Sequence, residues 1–244
     1  MDENTQIPFT AHLDELRLRL IRCVIAIGIG FVIAYFFKER LFQILIDPLV
    51  KALPSGNKLI FTGISEAFFT YLKVALLAGV MIATPVIFFE FWMFVAPGLY
   101  EHEKKILFPI IFLSSFFFIG GVLFGYFVVF PLGFQFFLSF ATDTIQAMPS
   151  MKEYLSFSAT MLLVFGAVFE LPLIITCLAH IGIVSVSMLK TNRKYAILII
   201  FIVAAILTPP DVVSQILMAI PMMILYELSI FGAKIFSKKK TDAN

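Results

Sequence analysis

The chain has 244 residues, of which 61% are hydrophobic and only 14% charged. Soluble globular chains run about 45–50% apolar, so a water-soluble fold would not hide this surface, and a bilayer is the solvent that accommodates it. The formal net charge of +2 argues against a global basic field for nucleic acid, and Cys23 and Cys177, far apart and without a C-x-x-C, argue against a zinc or thiol-redox motif.

The first element is an anchor helix. Arg17, Arg19 and Arg22 precede an apolar run from Val24 to Phe37, and the run is followed by Lys38-Glu39-Arg40 rather than a small-residue cleavage site. Upstream, Pro8 and Thr10 are helix-start residues, with Asp14 and Glu15 early in the helix. Helical spacing puts Leu13, Leu16 and Leu20 on one face and His12, Glu15, Arg19 and Arg22 in a polar stripe. Two roles remain open for Glu15. One is an i,i+4 pair with Arg19, worth about 0.3–0.5 kcal/mol. The other is a carboxylate presented at the cytoplasmic rim to a cationic partner.

Residues 38–70 are expected to form an outer loop ordered by turns at Asp47-Pro48, Pro54-Ser55-Gly56 and Gly63. Glu66 begins the next helix, where its charge complements the helix dipole. The second apolar run, about 71–96, contains Pro85 and the acid Glu90; Trp92 nearby suggests an interfacial belt. The inner loop that follows has the turn signal Pro97-Gly98, an internal Glu101–Lys105 spacing, and Glu103, which is freer to meet an external group.

The third run, about 106–131, has Pro109 and Pro131 near its ends. The fourth, about 156–181, carries Glu170 beside Pro172; an acid at bilayer depth costs at least about 2.5–3.5 kcal/mol, so it faces a bundle interior or a wet cavity. It is either a functional acid or a protonated carboxyl bonded between helices. The fifth and sixth runs, about 195–208 and 212–233, are joined by a tight turn at Thr208-Pro209-Pro210-Asp211. Asp211 is placed to cap the sixth helix, Gln215 one turn deeper to meet a partner helix, and Glu227 near the inner interface.

Six runs, the first at about 21–37, predict an all-α membrane protein with six transmembrane helices, forming one polytopic membrane domain over residues 1–244. With the N-terminus inside, twelve Lys/Arg lie in inner segments against five in outer ones, Lys73 being at a boundary, so both termini are expected to face the cytoplasm. Interior prolines at Pro85, Pro172 and Pro221 are expected to kink their helices, giving a bundle with a concave face. No His-Glu-x-x-His, G-x-S-x-G or Gly-rich phosphate loop is present, so an enzyme is not expected and neither cofactor nor metal is called for. A proton-coupled transporter of a small solute would also use an acid such as Glu170, although such folds more often show inverted repeats.

The motifs, in order, resemble one family. His12-Leu-x-Glu-Leu-Arg-x-Arg-Leu20, the Pro48 loop, Glu66-Ala-Phe-Phe69, Pro85, Phe94-x-x-Pro-Gly-Leu-x-x-x-Glu103, Phe169-Glu-Leu-Pro172 and Thr208-Pro-Pro-Asp211 are similar to TatC, the core subunit of the twin-arginine protein translocase. The resemblance spans nearly the whole chain. It implies a protein of the bacterial cytoplasmic (inner) membrane, N-in and C-in, that receives folded cargo bearing twin-arginine signal peptides. It implies recognition by Glu15 and Glu103, with Arg17 and His12 in the same site, and transport or partner-helix docking by Glu170, Asp211, Gln215 and Glu227. Pro48, Pro85 and Glu66 are then structural. TatA-like and TatB-like single-span subunits are the implied partners and the proton-motive force the implied drive. Glu90 is a departure, at a place where the resemblance leads one to expect Gln.

Overall fold

The computed structural model describes residues 9–53, 59–61, 63–95, 107–142, 147–208 and 211–236. In chain order these form α1 (Phe9–Phe36), α2 (Lys38–Ala52), α3 (Glu66–Val95), α4 (Leu107–Phe124), a π-helical turn (Gly125–Val129), α5 (Phe130–Leu138), α6 (Met151–Phe169), α7 (Leu171–His180), α8 (Val186–Thr191), α9 (Arg193–Leu207) and α10 (Val212–Phe236). Among the described residues there is no strand, only an isolated bridge between Ile60 and Ser150. Five segments among the described residues are long and apolar enough to cross a membrane: His12–Phe36, Glu66–Val95, Phe108–Leu138, Met151–His180 and Val212–Ile235. The fifth apolar run forms α9, whose 15 residues span only about 22 Å at helical rise.

Two expectations about this layout are corrected. The outer loop is not held by turns alone, because Lys38–Ala52 is helical with Pro48 inside it. Phe42, Leu45 and Leu49 recur at helical spacing and are buried, so this is an amphipathic helix rather than a loop. The third run also does not end at Pro131. The wider π turn precedes the proline, with the N–H of Phe130 reaching back five residues to Gly125 O, and the helix resumes to Leu138. The turn residues Pro54-Ser55-Gly56, Pro97-Gly98 and Pro209-Pro210, and the helix-start residue Pro8, lie outside the described residues.

The prolines act unequally. α3 and α10 run through Pro85 and Pro221 without a break. At Pro172 the helix does break, and Glu170 serves both as the last residue cap of α6 and as the entry to α7. Its own carbonyl receives the N–H groups of Leu173 and Ile174, which restarts the helix past the missing donor.

The chain divides into two compact units, Met1–Leu41 with Tyr71–Ser115, and Phe42–Thr70 with Phe116–Asn244. In the first, α1 crosses α3 at Gly30 and Gly79. A Cβ on Gly30 would lie 2.6 Å from Gly79 O, and one on Gly79 would lie 2.6 Å from Phe31 N, so the backbones touch only because both positions lack a side chain. The outward face of α1 is apolar: Val24, Ile25, Ile29 and Val32 are each more than half exposed, as a lipid-facing surface requires. Trp92, read from sequence as near an interface, has a protein partner. It is buried, and its indole N–H donates to Ser114 Oγ at 2.8 Å, tying α3 to α4.

In the second unit, hydroxyls and acids answer backbone groups that the helices leave open. Pro48 has no N–H to give the carbonyl of Ile44, and Tyr126 OH donates to that carbonyl at 2.6 Å. Tyr154 OH donates to the next carbonyl, Leu45 O. Ser150 precedes α6 without capping it, and donates instead to Glu66 Oε1 at 3.1 Å. The same oxygen accepts the N–H of Lys152 at 2.8 Å, so Glu66 caps α6 from a distance, while its other oxygen accepts Gly63 N–H at 3.2 Å. Farther along, Ala179, Leu189, Ile230 and Ala233 form a buried cluster that packs α7 and α8 on α10.

Two tests follow from these contacts. Gly79→Ala should destabilise the detergent-solubilised protein by about 1–3 kcal/mol through overpacking. Gly28→Ala, where a Cβ meets nothing within 4 Å, should leave melting unchanged or raise it. Tyr126→Phe should lower stability by about 0.5–1.5 kcal/mol, and much less in a Pro48→Ala background where the helix supplies its own N–H. A thermal-unfolding double-mutant cycle measures the difference.

Candidate functional site

The polar stripe of α1 meets α3 near the end of each helix's apolar stretch. Arg19 lies at its centre. Its Nε and Nη2 both donate to Glu15 Oε1, at 3.0 and 2.6 Å, and its Nη1 donates to Glu90 Oε2 at 2.9 Å. Arg22 Nη1 donates to Glu90 Oε1 at 3.3 Å. One guanidinium therefore bridges two carboxylates, which its planar fork of donors permits and a lysine ammonium does not match.

The burial is graded. The side chain of Glu90 is 6% exposed, that of Arg19 15% and that of Glu15 30%, while Arg22 is 60% exposed. Glu90 is thus the inner acid and Glu15 the outer one. His12 flanks the outer side, with Nδ1 3.8 Å from Glu15 Oε2 and its ring stacked on Phe94 at 4.4 Å between centroids. Arg17 is exposed on α1 and is not part of this cluster among the described residues. Glu103 lies outside the described residues, nine positions beyond Phe94.

The i,i+4 pair of Glu15 and Arg19 expected from spacing is therefore present, and it belongs to a larger network. Sequence reasoning placed His12, Glu15, Arg19 and Arg22 on one stripe but did not connect Glu90 to it. Glu90 is 71 residues from Arg19 in the chain, and the only available signal was a second acid within an apolar run facing a helix rich in arginine.

The remaining acids and amides are dispersed through the second unit. Glu170 is buried, 3% exposed, at the α6–α7 junction ten residues before the end of its span. Asp211 Oδ1 accepts the N–H of Ser214 at 2.7 Å and caps α10, as its position predicted. Gln215 does meet a helix, but one of this chain: its amide nitrogen donates to Phe201 O on α9 at 3.1 Å. Glu227 pairs with Arg193 at 2.6 Å, both about half exposed, so the pair carries little energy. On α2, the exposed Lys51 donates to Asp47 Oδ2, which holds its ammonium above the ordinary lysine pKa. Pro48 leaves the Ile44 carbonyl to Tyr126, Glu66 accepts the N–H groups of Gly63 and Lys152, and Pro85 lies within an unbroken α3.

The arrangement offers charge recognition rather than covalent chemistry. Its one concentrated feature is a carboxylate pair built to hold guanidinium groups at the end of a membrane-spanning helix.

Comparison with known proteins agrees in extent and kind. The sequence profile of the family described as Sec-independent protein translocase protein (TatC) matches residues 11–221. The protein of that name from Desulforapulum autotrophicum is 66% identical over 238 residues, covering 98% of this chain and 88% of its own length. Its counterpart in Escherichia coli is 39% identical over 237 residues, covering 97% and 92%. A crystal structure described as Twin Arginine Translocase Receptor TatC superposes with a TM-score of 0.83 at 41% identity, covering 93% of this chain and 100% of that one. With membrane-spanning helices throughout and a match along nearly its full length, the chain belongs to the TatC family of Sec-independent protein translocase proteins.

Proposed function

We propose that the chain is the receptor core of a twin-arginine translocase, binding the signal peptides of folded proteins at the cytoplasmic face. The observation that carries this reading is the Glu15 carboxylate, which already accepts an arginine through two N–H groups. A carboxylate with that geometry suits a peptide arginine, whose charge is permanent and whose donors are forked. The stack of Phe94 on His12 supports a second contribution, because it brings the end of α3 to the Glu15 side of the cluster, and Glu103 follows nine positions later in sequence. His12 and Arg17 complete the proposed recognition set.

Partly exposed pairs contribute only about 0–1 kcal/mol each, too little for firm capture. The apolar stretch of the signal peptide therefore adds burial against the helix surfaces, at about 25 cal/mol per Å² removed from water or lipid headgroup. Charge recognition fixes register, and apolar contact holds the peptide.

In this reading the chain crosses the bacterial cytoplasmic membrane six times as one polytopic domain, with both termini inside and α9 as the short fifth span. The Lys/Arg distribution supports that orientation. TatA-like and TatB-like single-span subunits dock near Glu170, Asp211, Gln215 and Glu227, and the proton-motive force drives transport. Gln215 commits its amide nitrogen to Phe201 O, which leaves the amide oxygen as the group for a partner helix. The role is transport rather than catalysis, and family membership favours proteins over small solutes as the transported class.

Signal-peptide crosslinking and export decide the matter. Glu15→Ala and Glu103→Ala together should reduce crosslinking about tenfold or more, the loss expected for hydrogen bonds to charged groups. A twin-lysine peptide should bind the unaltered chain correspondingly less. Undiminished crosslinking in the double variant at normal expression would refute the assignment.

A further inference from the structure

The rim carboxylate is occupied by the chain's own arginine. A peptide guanidinium approaching Glu15 meets Oε1 already taken by Nε and Nη2 of Arg19. For the peptide to bind, Arg19 must leave that oxygen. Its third contact shows where it goes: Nη1 already lies on Glu90 Oε2 at 2.9 Å, and Glu90 is the more buried acid. Water can replace Arg19 at the 30% exposed Glu15 but not at the enclosed Glu90, so Arg19 retains Glu90 when it gives up Glu15.

We propose that Glu90 is a positioning residue of the receptor site, which holds Arg19 aside while an incoming arginine takes its place on Glu15. The proposal rests on the reading of Glu15 as the cargo's acceptor. It extends that reading to specificity. The resting cluster pairs two acids, Glu15 and Glu90, with two cations, Arg19 and Arg22, so a simple positive charge gains no net field from it. A second guanidinium gains because it reproduces the forked contact that Arg19 vacates; an ammonium does not. The internal arginine thus acts as a reference ligand that a cargo must match.

The test uses the full chain in lipid nanodiscs and a fluorescent synthetic twin-arginine signal peptide. In Glu90→Gln, Arg19 is left with Glu15 as its only charged partner in the cluster, and peptide affinity should fall about fivefold to tenfold. In an Arg19→Gln background the same Glu90→Gln change should alter affinity by less than about twofold, since no arginine remains to be held aside. A purely structural Glu90 would give equal losses in both backgrounds; that result, or no loss in either, overturns the proposal. Arg19→Lys gives a second readout should Glu90→Gln fold poorly. Its single ammonium should settle on Glu90 and leave Glu15 open, so affinity should equal or exceed that of the unaltered chain, and weaker binding would overturn the proposal. Glu15→Ala run in parallel separates the two levels. Unchanged binding there removes the receptor reading itself, whereas a loss there with Glu90→Gln unaffected removes only the role of Glu90.

Discussion

Hydrocarbon supplies no hydrogen bonds, and this one property of the solvent accounts for much of what holds the chain together. The indole N–H of Trp92 meets Ser114, and the amide of Gln215 meets a carbonyl of α9. In water each of these groups has a free alternative, and a lost contact is replaced at once. In a bilayer the alternative is an unsatisfied dipole, so the same bonds fix which helices are neighbours. Where no polar partner is available, small residues do the work, as at the Gly30–Gly79 crossing.

The same constraint sorts the ion pairs by consequence. Arg193 and Glu227 are both about half exposed, and water competes for each of them. Glu90 is almost wholly enclosed and accepts from both Arg19 and Arg22. An enclosed acid with two cations is a fixed point. An exposed acid sharing one of those cations is an adjustable one. Glu15 is the adjustable member, which suits the proposed receptor role.

The helical spans were legible because long apolar runs have one physical solution in lipid. Their ends were less so. α2 escaped detection because Lys38, Glu39, Arg40 and Asp47 dilute its apolar content and Pro48 reads as a turn, although the Phe42–Leu45–Leu49 spacing was there to be used. The third span was cut short at Pro131 because a proline in sequence does not announce the π turn that lets the helix pass it. Side-chain partners were the least legible. The pairing of Glu15 with Arg19 is local and followed from spacing; that of Arg19 with Glu90 joins separate helices and required the fold. The partner of Trp92 was hidden for the same reason, since nothing in the sequence ties it to Ser114.

Glu66 has a consequence for synthesis. α6 opens at Met151 with Ser150 in the capping position, yet Ser150 leaves that task to a carboxylate made 84 residues earlier. The N–H of Lys152 waits on the same oxygen, 86 residues from it in the chain. On a ribosome, Glu66 is therefore delivered well before the groups it will hold exist, and the N–H of Lys152 gains this partner only when the segment carrying Glu66 lies beside it. A single side chain thereby ties the start of the later span to the placement of a much earlier segment.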